Sequence, residues 1–119
     1  MLPRLRRLLA PLLAAALSGG ILVFGLSPQV PTPLRSLNDK ILHALGYAAL
    51  AFTSAEALAV LRWGPSPPFA ALVYAAAHGA TLEALQSAAP RRRAEWGDLL
   101  ADVAGAIFGV TGWWLWRRR

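Results

Sequence analysis

The sequence contains no cysteine and carries little charge for its length. Without cysteine the chain has no disulfide framework, no thiolate zinc site and no thiol catalysis. Charged residues are 15% of the 119 positions, below the quarter or so that is usual in a soluble domain, whereas hydrophobic residues are 56%. A soluble domain this small has too much surface to hide that apolar fraction. The composition therefore predicts a protein whose main solvent is not water.

Acidic residues are also scarce, with 6 Asp and Glu against 12 Lys and Arg, so the formal net charge is +6. A basic balance can indicate nucleic-acid binding, but that interpretation needs a basic face on a polar domain. Here the basic residues lie in short clusters between apolar runs. We therefore expect no nucleic-acid partner and no cofactor, and we predict that the main partner is a lipid bilayer.

Four apolar runs organise the chain, at residues 8–26, 39–61, 68–89 and 98–116. Each is close to the ~20 residues that an α-helix needs to cross ~30 Å of hydrocarbon. Proline-rich breaks separate them, since proline removes a backbone donor and disfavours helix in the preceding residue. The remaining segments leave no room for a soluble domain or a β-barrel. The pattern predicts one domain over residues 1–119, an all-α integral membrane bundle with four transmembrane helices.

The basic residues predict the orientation of this bundle. Arg4, Arg6 and Arg7 precede the first run, and the run at 117–119 follows the last. We therefore expect both termini in the cytoplasm. The first run resembles a signal peptide at its start, but its apolar stretch continues through Phe24, so an uncleaved anchor is preferred. Cleavage would leave three spans in the same orientation.

Polar residues inside the runs are expected at one side of the membrane. Neighbouring antiparallel helices can be aligned from the outer end with a rise of ~1.5 Å per residue. This alignment places polar groups of three helices in the outer third of the bilayer, beneath the loop at 91–93. Ionisable groups within a membrane are costly and indicate function by default. The candidate pocket residues are Asp39, Lys40, His43, Tyr47, Glu83, Gln86, Arg92, Asp98 and Asp102.

These residues also carry a family resemblance over residues 39 to 109. The three motifs are Asp39-Lys40-x2-His43-x3-Tyr47, Glu83-x2-Gln86-x3-Pro90-x-Arg92 and Asp98-x3-Asp102-x2-Gly105-x3-Gly109. In this order and spacing they resemble the signature of the VanZ-like family. The resemblance implies a small bacterial inner (cytoplasmic) membrane protein with several spans, and the founding member is associated with resistance to teicoplanin. The family pattern usually has asparagine at the position of Asp102, so this chain has an extra carboxylate there.

Each candidate residue also has a purely structural interpretation. His43 is either a proton-transfer group or a helix–helix hydrogen-bond donor, and Glu83 is either paired or kept protonated. We predict no metal site, because one histidine with carboxylates lacks the nitrogen-rich ligand set that zinc usually has. Gly105 and Gly109 are interpreted as a close-packing face of the fourth helix.

Three functions remain open from the sequence. The first is binding in the cell envelope, in which Arg92 and Lys40 meet an anionic headgroup or lipid-linked wall precursor and His43, Glu83, Gln86 and Asp98 orient it. The second is a membrane hydrolase or transferase with His43 or Glu83 as general base. The third is a structural partner subunit. A transporter is disfavoured, because polar groups at one end of four short helices offer no continuous path.

Overall fold

The fold is entirely helical in the described part of the chain. A computed structural model describes residues 2–27, 39–88 and 96–119, with the side chain of Asp39 outside the described set. It contains four helices, α1 (Leu2–Leu26), α2 (Asp39–Val60), α3 (Pro67–Ala88) and α4 (Trp96–Arg117). The prediction of four helices is confirmed.

The helix ends follow local rules. α1 begins at Leu2, before the predicted apolar run, so Arg4, Arg6 and Arg7 lie on the helix itself. α3 begins at Pro67. Backbone N–H groups in the first turn of a helix have no acceptor within the helix, so the N–H that proline lacks costs no hydrogen bond there. α2 ends in a Schellman motif, with the N–H of Trp63 donating to the carbonyl of Leu58 and that of Arg62 to the carbonyl of Ala59.

Three of the four helices are long and apolar enough to cross a membrane. They are α1, the segment Lys40–Val60 of α2, and α4. α3 is as long as α2 and α4 but is not among them, because it is rich in alanine and carries His78, Glu83 and Gln86. Three of the four predicted spans thus have the length and composition of membrane-spanning helices. For α3 the argument for a fourth span depends on how the helix packs.

The four helices alternate in direction, so α2 and α4 run parallel to each other. Their N-terminal ends meet through Lys40 and Asp98, and their C-terminal halves through Glu56 and Trp113. The two backbones lie very close along this pair. A Cβ atom on Gly105 would overlap the carbonyl group of Ala44, and one on Gly109 that of Ala48. Only glycine permits this approach, and the register of α2 against α4 follows from it.

The core consists of small side chains around a few large ones. Its fully buried members are drawn from α2, α3 and α4: Tyr47, Leu50, Ala51, Ala55, Ala71, Ala75, Leu82 and Ala106. α1 buries only Ala10 and exposes most of its leucines. The bundle measures 45 × 25 × 24 Å. α1 is therefore apolar on faces that no other described part of the protein covers.

Candidate functional site

The polar side chains of α2, α3 and α4 meet near the N-terminal ends of α2 and α4. Lys40 donates to Oδ1 of Asp98, so an ion pair joins the first turns of the two parallel helices. Asp98 is buried, whereas the Lys40 side chain is 41% exposed. The pair thus joins α2 to α4 at one end of the bundle, and its cation is the more exposed partner.

One turn further along, His43 of α2 contacts Asp102 of α4. Nδ1 of His43 lies 2.6 Å from Oδ1 of Asp102, a hydrogen bond between a buried carboxylate and a largely buried imidazole. The other ring nitrogen, Nε2, lies 3.8 Å from Oδ2 of Asp98. Two carboxylates of α4, spaced by four residues, therefore flank the same ring. A carboxylate at Nδ1 fixes the orientation of an imidazole and stabilises its protonated form.

Glu83 brings α3 into this cluster. One nitrogen of His43, one oxygen of Glu83 and one oxygen of Asp102 all lie within 4.8 Å of one another. Asp102 can reach toward α3 because Gly79, one turn before Glu83, has no side chain. A Cβ atom there would lie 2.9 Å from Oδ2 of Asp102. We call Lys40, His43, Glu83, Asp98 and Asp102 the polar cluster.

Tyr47 lies below the polar cluster and bonds to His78, a residue to which the sequence pattern assigns no role. Its hydroxyl is 2.8 Å from Nδ1 of His78, and Nε2 of His78 is 2.9 Å from the carbonyl oxygen of Ser18. Tyr74 adds a further contact to α1, with its hydroxyl 2.5 Å from Oγ of Ser18. This chain of hydrogen bonds joins α2, α3 and α1, so Tyr47 belongs to the packing of the bundle.

Gln86 also turns toward α1. Its Nε2 donates to the carbonyl oxygen of Gly25 at 2.7 Å, and its Oε1 is buried without a hydrogen-bond partner in the described part of the chain.

Of the nine candidate pocket residues, five form the polar cluster, and Tyr47 and Gln86 contribute to helix–helix contacts. Arg92 and the side chain of Asp39 lie outside the described residues.

A second charged group occupies the opposite end of the bundle and was not assigned from the sequence. Glu56 is buried, contacts Arg6 of α1, accepts the indole N–H of Trp113 at 2.9 Å and lies 3.6 Å from Nε of Arg117. Arg62 lies nearby, where it lines a cavity of about 170 Å³ with Arg6 and other residues.

Comparisons with known proteins identify no relative of this chain. No family model matches the chain, and no curated protein or solved structure matches it. The resemblance to the VanZ-like family thus rests on the three sequence motifs alone.

The chemical capacity of the polar cluster follows from its composition. It combines one ammonium group, one imidazole and three carboxylates, contributed by three helices at one end of the bundle. Such a set can bind a polar ligand, transfer a proton through His43, or hold a cation between its oxygen and nitrogen atoms.

Proposed function

We propose that this protein is a VanZ-like integral protein of the bacterial inner membrane with four transmembrane helices. The exposed apolar surface supports insertion, since leucines on several faces of α1 have no cover within the described chain. α3 fits the same scheme, because His78, Glu83 and Gln86 are buried against neighbouring helices while Phe69 and Val73 are exposed. Lipid would therefore meet the apolar face of α3.

The proposed orientation has both termini in the cytoplasm. The end that carries the N terminus of α1 and the C terminus of α4 collects most of the arginines: Arg4, Arg6, Arg7, Arg62, Arg117, Arg118 and Arg119. Arginine-rich ends of membrane helices remain preferentially on the cytoplasmic side. In this orientation the polar cluster lies at the end of the bundle that faces the outer surface.

The proposed function is to bind a polar or phosphate-bearing headgroup at that outer surface, in the cell envelope. The observation that carries it is the convergence of the polar cluster from three helices at one end of the bundle. Charged side chains within an apolar bundle are expensive, and they are retained where they contact a ligand, an ion or one another. Lys40 and Arg92 would attract the phosphate, and the carboxylates of the polar cluster would accept hydrogen bonds from hydroxyl or amine groups of the headgroup.

Lipid binding by the reconstituted full-length protein tests this function. We expect wild type to bind anionic phospholipid in nanodiscs in preference to a zwitterionic lipid. Arg92→Ala should weaken that preference about tenfold, which corresponds to ~1.4 kcal/mol for one charge-assisted contact. Arg119→Ala is the matched control, because it removes the same charge at the C-terminal end of the chain, which the proposed orientation places in the cytoplasm. Equal effects of the two substitutions would contradict a specific site.

A second candidate function is hydrolysis or group transfer at a membrane-bound substrate. The observation that favours it is the hydrogen bond of 2.6 Å between His43 Nδ1 and Asp102 Oδ1. A carboxylate placed at Nδ1 orients the ring so that Nε2 can take a proton from a substrate hydroxyl or from water. The test is whether wild type forms a product that neither Asp102→Asn nor Glu83→Gln forms, while both variants keep their helical content. That result would favour this function over the first.

A further inference from the structure

We infer that His43, Glu83 and Asp102 form a binding site for a divalent transition-metal ion of the zinc class. Each residue comes from a different helix, and one potential ligand atom of each lies within 4.8 Å of the other two. Ligand atoms around one tetrahedral metal ion lie ~3.3–3.6 Å apart when the metal–ligand bonds are ~2.0–2.2 Å, so small side-chain movements would bring these three atoms around one ion. The inference goes beyond the proposed function, because a metal ion can bind there without any headgroup.

An unsatisfied buried oxygen at the same place points independently to a ligand. Asp102 is completely buried, and its Oδ2 has no hydrogen-bond partner in the described part of the chain. This oxygen faces α3 at Gly79, one turn from Glu83. A buried carboxylate oxygen without a donor costs free energy, and a bound cation removes that cost by direct coordination.

The charges match a divalent ion. Glu83 and Asp102 contribute two carboxylates beside the imidazole of His43. Two carboxylates balance the charge of a divalent cation, and a neutral imidazole adds a nitrogen ligand. The surrounding alanine-rich bundle has a low dielectric constant, which strengthens this attraction.

The ligand types select the class of metal. An imidazole nitrogen suits zinc and its first-row neighbours, whereas Mg²⁺ and Ca²⁺ prefer oxygen ligands alone. Three protein ligands leave a fourth tetrahedral position for water, as in catalytic zinc sites. The sequence predicts no metal site, because it offers one histidine with carboxylates rather than several nitrogen ligands. In the folded protein two of these carboxylates, from neighbouring helices, lie beside that histidine.

Metal titration of the purified full-length protein in detergent tests the site. After treatment with a chelator and its removal, the protein is titrated with ZnCl₂ alone and the heat is measured. We expect one Zn²⁺ per chain, release of protons as the ligands lose theirs, and no comparable binding of Mg²⁺. His43→Gln and Asp102→Asn should each lower the affinity at least tenfold.

His78→Gln is the matched control, since it removes the other of the two histidines, which bonds to Tyr47 and Ser18 rather than to the cluster. It should leave the affinity for Zn²⁺ unchanged. Equal losses in His43→Gln and His78→Gln, or the absence of a stoichiometric site in wild type, would overturn the inference. X-ray absorption of the wild-type zinc complex needs no variant, and a first shell without a histidine nitrogen would also overturn it. Because no anionic lipid is present, failure here leaves the headgroup assay to decide the proposed function separately.

Discussion

Trp113 of α4 donates its indole N–H to Oε2 of Glu56 on α2, at a distance of 2.9 Å and with both side chains buried. The same carboxylate contacts Arg6 of α1 and lies near Arg117 at the end of α4. One acidic residue thus links three helices at the arginine-rich end. The two arginines also stack on tryptophan rings, Arg6 on Trp116 and Arg117 on Trp113, so the charges are held against aromatic faces.

The hydrogen bond from Trp113 to Glu56 should be a measurable part of the stability of the bundle. We expect a double-mutant cycle of Trp113→Phe and Glu56→Leu, followed by unfolding in mixed detergent micelles, to give a coupling free energy of ~1–2 kcal/mol. That range is typical of a hydrogen bond to a charged group and of the stronger interhelical hydrogen bonds in membranes. The volume lost from tryptophan and the loss of the carboxylate beside Arg6 also occur in the single variants. Their effects on the free energy of unfolding therefore cancel in the cycle.

Trp96→Phe provides the control for that cycle, because Trp96 lies on the same helix and is 82% exposed. Its coupling to Glu56→Leu should be zero within error. A coupling for Trp113 that is no larger would show that the hydrogen bond adds nothing to stability.

The close approach of α2 and α4 predicts a large effect of one methyl group. In Gly105→Ala the new Cβ overlaps the Ala44 carbonyl group, so the two helices must separate. We expect a loss of about 2 kcal/mol in the free energy of unfolding, the usual cost of overpacking. Because α2 and α4 also carry most of the polar cluster, binding of Zn²⁺ or headgroup should weaken in the same variant.

Gly112→Ala tests whether that loss comes from the helix contact. Gly112 lies on the same helix, and among the described residues no neighbouring atom lies within 4 Å of the position that a methyl group would occupy there. Alanine should therefore be neutral or slightly stabilising. Similar unfolding curves for the two variants would contradict the proposed basis of the α2–α4 contact.

The sequence is informative about depth along the bundle and much less about direction around each helix. A constant rise per residue was enough to expect residues near position 40 at the level of residues near position 98, and the structure brings Lys40 to Asp98. The direction of Gln86 could not be obtained in this way, since its partner is the backbone carbonyl of Gly25 on α1. Carbonyl groups are present at every residue and leave no signal in the sequence.

The partner of Glu56 illustrates a second limit. The sequence shows several arginines at one end of the bundle, and the choice among them depends on where α1 begins. The apolar run predicts a start near residue 8, whereas the helix extends back to Leu2 and carries Arg6 to Glu56. Composition cannot define this start, because arginine is a good helix former and continues a helix beyond its apolar segment.

The end of α2 offers a stabilising substitution. Arg62 occupies the C′ position of the Schellman motif with φ of 55°, a left-handed conformation that glycine adopts without strain. Arg62→Gly should raise the free energy of unfolding by up to ~1 kcal/mol, measured by thermal unfolding in detergent. Gly64 also has a positive φ, of 85°, and no neighbour within 4 Å of its Cβ position in the part of the chain that the structure describes. Gly64→Ala should therefore destabilise by a similar amount, and the same sign for both variants would refute the conformational argument.

The contacts of His78 define its tautomer. Nε2 faces the carbonyl oxygen of Ser18, which can only accept, so Nε2 must carry a proton. In the neutral ring Nδ1 is then an acceptor, and the hydroxyl of Tyr47 donates to it. We expect ¹⁵N spectra of histidine-labelled protein to show a ring that is protonated at Nε2. The chain has only two histidines, so His43→Gln assigns the signal.

Tyr47→Phe should remove this donor and lower the free energy of unfolding by ~1 kcal/mol, because Nδ1 of a buried ring loses its partner. The Nε2 proton should stay in place, since its contact with Ser18 does not depend on Tyr47. Tyr74→Phe is the control: its hydroxyl bonds to Oγ of Ser18, so the histidine spectrum should not change. A ring protonated only at Nδ1 in wild type would reverse the hydrogen bond with Tyr47 and abolish the one with Ser18, since a carbonyl oxygen cannot donate. That result would contradict the link from α2 through α3 to α1.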